Sequence, residues 1–165
     1  MIQSSIRIAL LAAVVGLSGC ATLSASDNGM VTVRSPHSAS DTLRRLEGEV
    51  RKRGLAVVAR IDHAAGAAKA GKSLRPTEVM IFGNPQAGTP LMECAQGAGI
   101  DLPMKALVTV DAQSKVWITY NDPAFIVQRQ GVSDCPAVEG LRKALGGIVE
   151  AVVSRMSARA RSDFK

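Results

Sequence analysis

Five polar residues stand at the ends of apolar runs: Asn84, Lys105, Tyr120, Asn121 and Asp122. Together they offer carboxamides, a cation, a phenol and a carboxylate, a set better suited to holding an anionic or amide-bearing ligand than to cleaving one. His63, beside Asp62, is a further candidate for ligand contact or proton transfer, because imidazole changes charge near neutral pH. The same residues have plainer uses. Asn84-Pro85 and Asn121-Asp122-Pro123 are turn sequences, Lys105 can pair with Asp122 or stand in water, and Asp62-His63 can cap or turn the chain. Nucleophilic catalysis finds little support, since there is no Gly-x-Ser-x-Gly elbow, His37 falls in an expected loop and Cys94 has no base close in sequence. Met80, Met92, Met104 and His63 could suggest soft copper(I) binding, but core packing explains the methionines more simply. No CxxC, HExxH or zinc-spaced Cys/His cluster occurs, so neither metal nor cofactor is expected.

The three cysteines divide by position. Leu17-Ser18-Gly19-Cys20 closes a short apolar run, Ile8 to Gly16, that follows the single positive charge of Arg7. This reads as a secretory signal, too short for a bilayer span of roughly 20 apolar residues. Leu-Ser-Gly-Cys resembles a lipobox, which implies removal of residues 1–19 and acylation of Cys20. Several acyl chains anchor stably where one is marginal. Residues 20–30 then serve as a lipidated tether, 31–160 as one domain and 161–165 as a tail. In a host with two membranes, Ala21 in place of aspartate favours the outer one, facing the periplasm. In that oxidising compartment Cys94 and Cys135 are candidates for a disulfide, although spacing alone leaves the pairing open.

Charge excludes little by itself. The 165-residue chain carries +6, and removal of Arg7 with the leader leaves +5, borne largely on expected helix faces. With aromatic residues at 3% the chain lacks stacking platforms, and nucleic acid is not an expected partner.

The elements that must position these side chains follow from periodicity. Met30 to Ser35 alternates as a strand, and a helix follows, with Ser38, Ser40 or Asp41 as cap and Gly54 as its stop. Leu55 to Ile61 is a second strand, followed by one or two helical turns within Asp62 to Gly71, and Thr77 to Phe82 is a third. Thr89 and Pro90 open a short helix closed by Gly97 and Gly99. Ala106 to Val110 and Val116 to Tyr120 form a hairpin, and an amphipathic helix runs from about Pro136 to Ala160. The order implies an α+β domain: a mainly antiparallel five-stranded sheet with two long helices on one face. If strands three to five form a meander, Asn84, Lys105 and Tyr120 to Asp122 share one rim. A strict meander puts His63 at the far rim, whereas a crossover within the 17 residues from Asp62 to Glu78 would bring it to Asn84.

Four stretches carry a family resemblance: Ile61-Asp62-His63-Ala64-Ala65, Ile81 to Met92, Leu102-Pro103-Met104-Lys105 and Tyr120-Asn121-Asp122-Pro123. They resemble the domain of unknown function 302 family over about residues 31 to 160. The resemblance implies a TATA-binding-protein-like β-α-β4-α fold, a tendency to homodimerise, frequent export as a lipoprotein and no established activity. The expectation is therefore a lipid-anchored envelope protein acting as a small-ligand-binding or interaction module. An enzyme or metal carrier using Lys105, Asp122 or His63, and a purely structural dimer, are the alternatives.

Overall fold

The computed structural model of the protein describes residues 28–155; the segment expected to be a signal, Cys20 and the chain after Arg155 lie outside them. Strand β1 (Met30–Ser35) leads into helix α1 (Ala39–Lys52), whose N-cap Ser38 accepts the Asp41 amide at 3.2 Å. Leu43, Leu46 and Val50 fall three and four residues apart and form the buried stripe of α1. Gly54, at φ 71°, then turns the chain in the left-handed region where a Cβ would be strained. Strand β2 (Ala56–Asp62) runs into the short helix α2 (His63–Lys69), and β3 (Thr77–Gly83) into α3 (Pro85–Cys94). A 3-10 turn, Gln96–Asp101, precedes β4 (Met104–Val110). β5 (Val116–Asn121), α4 (Pro123–Arg129) and α5 (Ala137–Val153) complete the order.

The fold is α+β, and its sheet has the order β1-β5-β4-β3-β2 with every neighbouring pair antiparallel. Period-two alternation sorts the two faces. Met80, Phe82, Ala106, Val108 and Ile118 are buried and pack with Leu46, Val50, Leu145, Ile148 and Val152 of α1 and α5. On the opposite face Val79, Ile81, Leu107 and Trp117 are only half-buried. The buried hydroxyls of Ser35 and Thr42 satisfy each other at 2.7 Å.

Strands β2 to β5 shift by one or two residues from their expected bounds, with β4 starting at Met104 instead of Ala106, and the helices differ more. Helix α3 starts at Pro85 under the cap of Asn84, not at Thr89-Pro90, because Asn84-Pro85 is itself an N-cap followed by proline at the first helical position. Pro90 therefore sits inside the helix, whose last residue is Cys94, and Gly97 and Gly99 fall in the 3-10 turn. Helix α4 is additional: Asp122-Pro123, readable as a turn, caps and opens it in the same way. Helix α5 is shorter at its described end, stopping at Val153, where Ser154 adopts ψ 135°.

The β4–β5 turn supplies a test in pH. The Asp111 carboxylate accepts the Trp117 indole N–H at 2.8 Å and the amides of Gln113 and Lys115 at 2.9 and 2.8 Å. These bonds, led by that from Trp117, hold its acidity below the usual carboxylate range. A depressed folded value means that the contribution is present above the unfolded pKa of about 3.9 and is lost as pH falls through the folded value. Emission from Trp117, the single tryptophan, should stay constant down to about pH 4 and change only below it. A transition between pH 5 and 7 that Asp111→Asn removes would contradict this.

Candidate functional site

Strand direction decides which polar residues can meet. β3 ends, β4 begins and β5 ends at one rim, with Phe82 opposite Met104 and Ala106 opposite Tyr120, so Asn84, Lys105 and Tyr120 to Asp122 do share it. The faces separate them. Tyr120 lies with Ala106 on the helix-covered side, whereas Lys105 pairs with Ile81 on the other. Lys105 Nζ donates to the carbonyls of Asp101 and Pro103 at 2.8 and 3.1 Å. Asn84 Oδ1 accepts the Ala87 amide at 2.7 Å as the cap of α3. Asp122, 4% exposed, caps α4 through the Ala124 amide at 2.9 Å and pairs with Arg142 Nε at 3.1 Å. Burial, and then the neighbouring Asp122 charge, push the Tyr120 phenol up. Asn84 and Asp122 are thus occupied as helix caps, and Lys105 binds loop carbonyls instead of Asp122. Lys105→Ala should change unfolding free energy by less than about 1 kcal/mol, measured by urea titration, since its two contacts are to loop carbonyls that water can reach in its place.

The crossover reading for His63 is corrected. β2 pairs antiparallel with β3, with Ala56 opposite Gly83 and Asp62 opposite Glu78, so Asp62-His63 stands at the rim far from Asn84. His63 is the exposed first residue of α2, and Asp62 caps that helix through the Ala65 amide at 2.9 Å. Met80 and Met104 are core residues, and among the described residues no three His, Cys, Asp or Glu side chains gather so as to hold a metal ion.

What the Asn84 rim does contain is a cavity of about 540 Å³ between α3, α5 and the β2 edge. Phe82, Met104, Leu145 and Ile148 are buried residues that line it, and Val58 and Met92 contribute to its walls. None of its lining residues is charged; Asn84 and Thr89 are its polar side chains. That volume falls within the range of about 300–1,000 Å³ found for small-ligand sites. A hollow of about 630 Å³ beside α1 is lined by Arg60, Glu47 and Glu78, which pair with one another at 3.2 and 2.6 Å. Another of about 560 Å³ is lined by Tyr120, Asp122 and Arg142.

The groove walls are tied covalently. Cys94, the last residue of α3, is joined to Cys135, just before α5, with Cα atoms 5.8 Å apart. The groove could not be seen in the sequence, because its lining comes from four separated stretches whose apolar residues read as ordinary core.

The model of DUF302, a domain of unknown function, matches residues 31–152. The chain belongs to the DUF302 family. A solved DUF302 protein, an uncharacterised conserved protein from Bacillus stearothermophilus, aligns with a TM-score of 0.68 at 19% identity, over 75% of this chain and 98% of its own, and supports the fold. Curated relatives named fluoride-specific ion channel FluC 1, from Brucella suis biovar 1 (strain 1330) and Brucella abortus biovar 1 (strain 9-941), are 44% identical over 126 residues. These matches cover 75% of this chain but 50% and 47% of the relatives. The chain thus spans about half the length of proteins bearing that name. Among the described residues no helix is long and apolar enough to cross a membrane.

Proposed function

We propose that this DUF302 protein is anchored in the cell envelope through an acylated Cys20 and that its groove holds an apolar chain. The observation that carries this reading is a cavity of about 540 Å³ lined by no charged residue. An anionic ligand, expected from the rim residues, loses support, since a carboxylate buried there would have no cation to offset its desolvation. A chain with its head in water loses nothing by this. Each methylene buried contributes about 0.8 kcal/mol, close to fourfold in affinity.

Binding to the folded state raises the melting temperature by mass action. With the chain from Ala21 onward, alcohols and carboxylic acids of about eight to sixteen carbons should raise it increasingly with length, and the two head groups should act alike. Shifts independent of length, or confined to the acids, would contradict the proposal.

Two partner proposals accompany it. The half-buried face bearing Ile81, Leu107 and Trp117 favours a second copy, so light scattering should give twice the chain mass, and a monomer would refute it. The 44% identity to the Brucella proteins favours service beside a fluoride channel, in which case deleting the gene should raise fluoride sensitivity; unchanged tolerance would exclude it.

A further inference from the structure

We propose that the chain occupying the groove is one that Cys20 itself carries; this rests on the reading above, that Cys20 is acylated and that the groove takes acyl chains. Met30 begins β1 opposite Asn121, so the N-terminal segment leaves the domain from the rim that Asn84 and Pro103 share, where the groove lies. The Asp122 amide, donating to the Gly29 carbonyl at 2.8 Å, fixes the chain there. Between β1 and the β2 edge stand β5, β4 and β3, hence at most four strand spacings, a span of about 19 Å. Eight residues, 21–28, stand between Cys20 and the fixed Gly29. Nine Cα-to-Cα steps extend to at most about 30 Å, more than that span.

The segment is therefore long enough to bring an acyl chain on Cys20 to the groove, and a ligand linked in this way is presented at an effective concentration on the order of millimolar. A free chain at micromolar concentration cannot compete with that. The other end of the described chain leaves the domain elsewhere. His37 Nε2 lies 3.2 Å from the Ser154 carbonyl, which places the end of α5 beside the start of α1, at the rim opposite the groove. The cavity's volume suits one chain, not several. The remaining chains on Cys20 stay available to the membrane, and the groove shields the one that leaves it.

The test is photochemical and uses the full lipidated chain. Cells are grown with a fatty acid carrying a diazirine on its chain and a terminal alkyne, the lipoprotein is purified and irradiated, and peptides are mapped by mass spectrometry. The expected result is label on Cys20 with cross-links to peptides containing Met92 or Leu145. Ala144→Trp and, separately, Thr89→Trp add bulk at exposed positions of the lining and should lower that cross-link at least about tenfold while label on Cys20 persists. Circular dichroism confirms that each variant is folded. Label on Cys20 without cross-links inside the protein, cross-links unaffected in both folded variants, or a separate lipid found in the groove would overturn self-occupancy and leave the anchor standing. Absence of label from Cys20 would overturn the anchor, and this proposal with it.

Discussion

Replacing both Cys94 and Cys135 by alanine is expected to lower the unfolding free energy by about 4 kcal/mol. The bridge closes a loop across a sequence separation of 41 residues, and the loss of unfolded-chain entropy for such a loop is of that size. For a domain of this length the melting temperature should fall by roughly 10–15 °C in calorimetry. The effect should extend to the groove, because the bridge joins the end of α3 to the start of α5 and both helices line the cavity. The double variant should accordingly show a weaker dependence of thermal shift on ligand chain length. Wild-type protein treated with a dithiol should melt like the double variant. A fall below about 1 kcal/mol in both would mean that the tertiary packing of α3 and α5 holds the walls without the bridge.

The other large effect is on location. Cys20→Ser removes the atom on which lipid attachment depends, since the lipobox reading makes Cys20 both the cleavage marker and the acylation site. The expected outcome is complete: no lipid mass on the protein, no lipoprotein-specific cleavage after Gly19 and no sensitivity of processing to globomycin. The domain itself should remain folded, because every described element lies between Met30 and Val153. Wild-type protein that shows neither lipid mass nor globomycin-sensitive processing would remove the anchor from the account.

The sheet and both long helices were legible because their signals are periodic and local. Leu43, Leu46 and Val50 step at helical spacing, and Met80, Phe82, Ala106, Val108 and Ile118 alternate at strand spacing, so burial follows from pattern. Helix α4 and the true start of α3 were less legible, since Asn-Pro and Asp-Pro signal a turn and a helix start equally well. The shared rim of Asn84, Lys105 and Tyr120 followed from strand direction, but the split between faces needed the register that pairs Lys105 with Ile81 and Ala106 with Tyr120. The groove was invisible for a different reason: Val58, Phe82, Met92, Met104 and Leu145 are ordinary apolar residues, and only the gap between α3, α5 and the β2 edge distinguishes them from core.

The most direct measurement is a fluorescence titration of the chain from Ala21 with a polyene fatty acid whose emission rises in an apolar environment. The account predicts saturable binding of one probe per domain at about micromolar affinity, weakened at least about tenfold by Ala144→Trp and unchanged by Lys105→Ala. Binding that fails to saturate, or that Ala144→Trp leaves intact in a folded protein, would contradict it.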